Sequence, residues 1–170
     1  MSNMVTTALH KVHALLDVRA CLAVVILGMG FIGVQKARGK MPHLASRAVG
    51  RFEFIGAMFM LMPSMVMQGL GRIAGACVIL CVMGAMVAIK PKALVTELTF
   101  ITLTSKILAS EWSTVTAHKH LTDNLAWEVV MAFAVGSGLV LGGLAKMTGA
   151  ETPKVRAKKA EPVKKRSKRA

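Results

Sequence analysis

A chain of 170 residues is long enough for one ordinary soluble domain, but its composition is not that of a soluble domain. Hydrophobic residues make up 54% of the chain and charged residues 18%, and the mean hydropathy is +0.57. So short a chain has too small an interior to bury this much apolar surface, so we expect lipid to surround most of it. The net charge of +14 excludes an acidic disordered chain, and three cysteines without a Cys-x-x-Cys motif exclude a disulfide scaffold and a zinc ribbon.

The N-terminal segment, residues 1–17, is expected to lie at the membrane surface. Within it, residues 4–16 predict a short interfacial helix that carries His10, Lys11 and His13 on its wet side.

Four uncharged or nearly uncharged runs follow in the body of the chain, residues 18–146, and each predicts a transmembrane helix. These runs are 20–34, 54–71, 73–89 and 129–145. Only helices and closed barrels satisfy the backbone in lipid, and the runs show no polar–apolar alternation, so we expect an all-α transmembrane bundle of four spans. The second and third runs are joined by residues 68–72, which predicts a tight helical hairpin, and Pro63 should kink the second span.

Residues 93–109 form a further apolar segment that also contains Glu97, Lys106 and four threonines. Because charged side chains are costly in lipid, the sequence favours a partly buried or interfacial helix here, with a fifth span as the alternative. Residues 110–124 are polar and are expected at the surface.

The basic residues outside the spans test the two topologies. Four spans place 13 basic residues on one side of the membrane and 9 on the other. Five spans place 17 on one side and 4 on the other, with Lys106 inside a span. Only the second division would orient the chain by the positive-inside rule.

Residues 28–33 match the G-x-G-x-x-G pattern of dinucleotide-binding turns. That site needs a following helix, which Gly39 and Pro42 would break, so close packing of membrane helices is the better interpretation of these glycines. Small residues recur at helical spacing in the third and fourth spans and predict further helix contacts. They are Gly71, Gly75, Cys77, Cys81, Ala85, Ala134, Gly138 and Gly142.

Two carboxylates, Glu53 and Glu128, lie at the first turn of a predicted span, where ionisable residues are candidates for a function. We expect them either to pair with Arg47, Arg51 or Arg72, or to handle protons. The sequence predicts no metal site, and the crowded methionines of the second span are interpreted as apolar filler. No cofactor is expected, and a bound lipid such as cardiolipin, or a quinone, is the compatible ligand.

The C-terminal tail, residues 147–170, carries half of the net charge in its last twenty positions and is expected to be disordered when free. A basic run beside a membrane attracts anionic lipid or an acidic partner, at about 1 kcal/mol per basic residue. Binding to nucleic acid is disfavoured for a membrane-bound chain. The basic residues of the tail are Lys154, Arg156, Lys158, Lys159, Lys164, Lys165, Arg166, Lys168 and Arg169.

The order of several motifs along the chain supports a family resemblance. These motifs are Arg19 before the first span, Gly33 and Lys36 after it, Glu53-x-x-Gly56 in the second span, Arg72 at the turn, His118 and His120 in the polar segment, and Glu128 before a glycine-rich last span. Over about residues 15–145 the chain resembles the DoxX-like family of small four-helix membrane proteins. The resemblance implies a partner of membrane redox systems, and some members are associated with quinone-linked oxidoreductases.

These features predict a non-enzymatic integral membrane protein that serves as an accessory or scaffold subunit of a larger, respiratory complex. Its partners would be other membrane-protein subunits and anionic lipid. The alternatives are a quinone- or thiol-linked redox component that uses Glu53 and Glu128, and a small transporter. A basic, acid-poor chain without a recognisable cleavable signal points to the mitochondrial inner membrane, with the bacterial inner membrane and the endoplasmic reticulum as alternatives.

Overall fold

The computed structural model describes residues 2–39, 44–61, 68–117 and 126–149. Over these residues the chain forms six α-helices and no β-strand, which confirms the helical fold class. The helices are α1 (Ser2–Leu15), α2 (Val18–Ala37), α3 (Leu44–Met60), α4 (Gln68–Ile89), α5 (Leu94–Ala117) and α6 (Trp127–Met147), and a short 3₁₀ turn (Pro91–Ala93) precedes α5. Pro63, His118, His120 and residues 150–170 of the basic tail lie outside the described residues, and so does the kink predicted at Pro63.

Among the described residues, three helices are long and apolar enough to cross a membrane. They are α2, the part of α4 from Leu70 to Ile89, and α6, with mean hydropathies of 1.9, 2.3 and 1.8. A helix of 20 residues such as α2 is about 30 Å long, which matches the hydrocarbon core of a bilayer.

The second predicted span, residues 54–71, does not form a single helix. The helix α3 begins ten residues earlier, at Leu44, and ends at Met60, whereas α4 begins at Gln68. The tight hairpin predicted at residues 68–72 is therefore wrong, because these residues form the first turns of α4. An early start also places Arg47 and Arg51 inside α3, and this is why α3 is less apolar than the run of residues 54–71 suggested.

The longest helix is α5, with 24 residues and a length of about 36 Å. Of the segment from residue 110 onward that was predicted to lie at the surface, residues 110–117 continue the helix to Ala117; Ser113, Thr114 and Ala117 are exposed, whereas Glu111 is buried. Hydroxyl groups in this stretch are satisfied within the helix: Ser113 donates to the carbonyl of Ser110 and Thr116 to that of Trp112, each at 2.8 Å. Such bonds to the preceding turn let a hydroxyl-rich sequence stay helical.

The helices α4 and α6 lie side by side and run in the same direction. Gly138 lies against the backbone of Cys81, and Gly142, four residues later, lies against Ala85, four residues after Cys81. A methyl group at Gly138 would overlap the carbonyl of Cys81, so the absence of a side chain is what lets the two backbones approach this closely.

The helices α3 and α5 run in the opposite direction to α4. Gly56 of α3 lies against Ile79, whereas Met60, one turn later, lies against Gly75, one turn earlier in α4. At one end of α5, Glu111 bonds to Arg72 near the start of α4, and the other end of α5 meets the end of α4 around a shared cavity.

The helix α2 is antiparallel to both α3 and α5. Gly33 of α2 lies against the backbone at Phe54, and Ala37, one turn later, lies against Gly50, one turn earlier in α3. It follows that α2, α4 and α6 share one direction, and α3 and α5 the other. The helices α2, α3, α4 and α5 surround a common interior, and α6 packs on the outer side of α4.

The predicted helix at the N-terminus is present as α1, but one of its side chains does not face water. His13 is only 5% exposed, and its Nε2 shares a 2.8 Å hydrogen bond with Ser105 Oγ of α5. The ammonium of Lys106 donates to the carbonyl of His13. The prediction that His13 lies on the wet side of α1 is therefore wrong, whereas His10 and Lys11 are exposed.

Candidate functional sites

The bundle interior contains a buried ion pair between α2 and α3. The ammonium of Lys36 donates to Oε1 of Glu53, and the two side chains are 5% and 0% exposed. Gly33 and Gly50 bring the two helices close together here, since an added methyl group at Gly33 would lie 2.8 Å from the backbone of α3. The second carboxylate oxygen of Glu53, Oε2, is buried and has no hydrogen-bond partner among the described residues.

Glu53 and Lys36 line a cavity of about 230 Å³ whose wall is formed by residues of α2, α3, α4 and α5 together with Lys90. Glu97, only 7% exposed, lies in the same wall. Two lysines, two glutamates and a threonine form the polar part of the lining, so the formal charges there balance. The polar residues are Lys36, Glu53, Lys90, Thr96 and Glu97, and the apolar ones are Met29, Ile32, Met83, Met86 and Phe100.

The partner of Glu53 is not one of the arginines expected from the sequence. Arg51 is two residues away on the same helix, and residues at that spacing do not face each other. Arg72 is bonded to Glu111 at 2.6 Å. The sequence did indicate that Lys36 faces a neighbouring helix. It follows Gly33 by three residues and so lies on the same face of α2 as that packing glycine.

The two predicted carboxylates lie far apart, at opposite ends of the bundle. Glu53 is beside the last turn of α2, whereas Glu128, in the first turn of α6, is partly exposed and lies 3.2 Å from His10 of α1. Glu53 and Glu128 therefore cannot act on one proton or one substrate together.

A second cavity, of about 340 Å³, lies where α1 meets α5 and α6. The ring of Trp127 lies 5.2 Å from that of His13 and 5.9 Å from that of His10, measured between ring centres. Burial, with the positive charges of Lys106 and His10 nearby, lowers the pKa of His13 below its ordinary value. His13 bonds to Ser105, His10 to Glu128, and Lys106 donates to the carbonyl of His13, so these contacts hold α1 against the bundle.

An open apolar groove of about 650 Å³ follows the outer face of α4, between α3 and α6. It extends from Cys77 to Ile89, which is about 18 Å along the helix. The one hydroxyl in its lining, that of Ser137, already donates to the carbonyl of Ala134 at 2.9 Å. The groove thus offers an apolar surface without an unsatisfied hydroxyl.

Some of the predicted helix-packing residues contact a neighbouring helix, and others line the groove. Gly75 lies against Gly56 of α3, Gly138 and Gly142 lie against α4, and Gly71 is half-buried in the first turns of α4. Five of the set, Gly142 among them, line the groove: Cys77, Cys81, Ala85, Ala134 and Gly142.

No family model, no curated protein and no solved structure matches this chain. The DoxX-like resemblance stays a prediction. Among the described residues, no group of three or more His, Cys, Asp or Glu side chains is placed to hold a metal ion.

Proposed function

We propose that the chain is an accessory subunit of a larger membrane complex and crosses the membrane five times. The three helices that are apolar enough to span, α2, α4 and α6, run in the same direction. A chain that crosses three times in one direction has to return twice, and α3 and α5 are the segments that run back. The length of α5, about 36 Å, is sufficient; α3, with 17 residues, is about 26 Å long, and its arginines extend its reach by placing their charges in the headgroup layer.

The charged residues of α5 are compatible with a crossing because each of them faces protein. Glu97 lines the interior cavity, Lys106 donates to the carbonyl of His13, and Glu111 is paired with Arg72. The cost of a charge in lipid falls when the charge faces the bundle interior and has a partner. These contacts support a crossing by α5.

Five crossings place most of the basic residues on one side of the membrane. The end of the bundle where α2 and α6 finish and α3 begins carries exposed Arg38, Arg47, Arg51, Lys92 and Lys146, and the basic tail follows α6. The acidic residues described at this end, Glu53 and Glu97, are buried. By the positive-inside rule this end faces the cytoplasm or the mitochondrial matrix, and we favour the mitochondrial inner membrane.

The groove along α4 supports the role of a subunit. Its lining includes the small side chains of Cys77, Cys81, Ala85 and Ala145, which would let another backbone approach closely. Close approach of backbones is what drives helix association in lipid, whereas an acyl chain does not require small residues. We therefore assign the groove to a transmembrane helix of a partner subunit.

A phenylalanine in the groove tests this assignment. In mild-detergent extracts analysed by native mass spectrometry, the wild-type chain should be recovered with partner subunits and the Ala145→Phe variant without them. Val140→Phe is the matched control, because Val140 lies on the same helix, is exposed and does not line the groove. Recovery of the wild-type chain alone, or with lipid as the only companion lost in Ala145→Phe, would contradict the proposal.

The redox alternative stays a prediction with its own test. Turnover of a quinone by the purified protein that disappears in Glu53→Gln would support it, and no turnover would leave the subunit role as the better account. The small transporter also stays a prediction.

A further inference from the structure

We infer that the 230 Å³ cavity inside the bundle is a binding site for a neutral, hydroxyl-bearing amphiphile, such as a long-chain alcohol or the glycerol end of an uncharged lipid. The first observation is the buried acceptor that the protein leaves unused. Lys36 satisfies one oxygen of Glu53, and Oε2, at 0% side-chain exposure, has no partner among the described residues. A buried carboxylate oxygen without a hydrogen bond is costly, so a donor from a ligand would be bound favourably.

The second observation is the division of the cavity wall into a polar and an apolar part. Carboxylates and ammonium groups lie together where α2 and α4 end, and thioether, aliphatic and aromatic side chains line the remainder. A hydroxyl group matches the polar part because it donates to a carboxylate and accepts from an ammonium such as that of Lys90. An alkyl chain matches Met29, Met83 and Met86, whose flexible side chains adapt to its shape.

The charges of the wall favour a neutral head over an ionic one. Lys36 and Lys90 balance Glu53 and Glu97, so an added anion or cation would enter a low-dielectric space without a counter-charge. The volume is consistent with a head group and the first part of a chain, since a cavity of about 150 Å³ already holds benzene.

Access is available from the end of the bundle that carries the basic residues. Thr96 lines the cavity and is itself exposed, so it lies at the opening, one residue before the buried Glu97. Thr99, one turn further along α5, is also exposed but does not line the cavity, and its hydroxyl donates to the carbonyl of Val95. These two threonines therefore give a blocking variant and its matched control.

The test uses the full-length protein in lipid nanodiscs and a twelve-carbon alcohol that carries a photoreactive diazirine on its chain. Mass spectrometry of the labelled protein should locate adducts on Met29, Met83 or Met86. Unlabelled dodecanol should compete at least tenfold better than dodecane, dodecanoate or dodecyltrimethylammonium. Labelling should fall at least fivefold in Thr96→Trp and remain unchanged in Thr99→Trp.

A second variant separates recognition of the hydroxyl from mere filling of the space. Glu53→Gln keeps an oxygen for Lys36 and puts an NH₂ donor in place of the free acceptor, so competition by dodecanol should weaken about tenfold. Adducts confined to lipid-facing residues, equal competition by dodecane and dodecanol, or equal competition by dodecanoate would each overturn the inference. The proposed subunit role would be unaffected, because it depends on the groove on the other face of α4.

Discussion

Replacing Lys36 with methionine should destabilise the bundle more than any other single change to its charged groups. The substitution keeps the length of the side chain and leaves Glu53, which is fully buried, without its counter-charge. Removing one partner from a buried ion pair costs about 3–5 kcal/mol. A loss of 4 kcal/mol would lower the folded-to-unfolded ratio about a thousandfold.

The free energy of unfolding can be measured by titration with sodium dodecyl sulfate in mixed micelles, followed by the fluorescence of Trp112 and Trp127. Replacing both members of the pair with methionine should recover most of the loss, because no unpaired charge then remains. Arg72→Met is the comparison, since the Arg72–Glu111 pair is more exposed, at 27% and 11%, and its loss should cost a smaller amount, about 2 kcal/mol. A Lys36→Met variant within 1 kcal/mol of wild type, or a double variant as unstable as Lys36→Met, would refute the explanation that the loss comes from an unpaired buried carboxylate.

Two further predictions concern helix packing and pH. Gly138→Ala should cost about 1–3 kcal/mol because its methyl group overlaps the carbonyl of Cys81, whereas Gly136→Ala, which has no atom within 4 Å of the added carbon, should be neutral or slightly stabilising in the same titration. His13 should make the docking of α1 depend on pH: its pKa in the folded state lies below the ordinary 6.5, so protonation favours the undocked state. The stabilisation is complete above about pH 6.5 and weakens as the pH falls below it, which hydrogen exchange of the α1 amides would detect. His13→Gln, which keeps a bond to Ser105 without titrating, should abolish this dependence, and an unchanged dependence would show that another group controls it.

The apolar spans could be predicted from the sequence because a run without charges indicates a helix in lipid regardless of its neighbours. The runs at residues 20–34, 73–89 and 129–145 all lie within observed helices that are long and apolar enough to cross a membrane. The run at 54–71 misled the prediction because an uncharged stretch does not reveal a helix end. It contains Pro63, and the residue before a proline disfavours the helical conformation. Pro63 was therefore the feature of the sequence that indicated a break in this run.

The candidate sites depend on tertiary contacts that a single sequence does not display. Glu97 and Lys106 counted against a crossing by α5 until their surroundings on other elements were known. The pairing of Lys36 with Glu53 joins residues seventeen positions apart, and nothing local to either residue specifies the other. The small-residue spacing did identify surfaces of α4 and α6, but not which of them contact each other and which line the groove.

The locations of the two chain ends test the five-crossing topology most directly. An odd number of crossings puts the N-terminus and the basic tail on opposite sides of the membrane, whereas four spans would put them on the same side. Short epitope tags at the two ends, probed with protease in sealed mitoplasts or right-side-out bacterial vesicles, report the sides independently, and carbonate extraction of a separate sample tests integration into the membrane. We expect the tail tag to be protected on the matrix or cytoplasmic side and the N-terminal tag to be cleaved from the other side. Both tags on one side, or release of the protein by carbonate, would contradict the account.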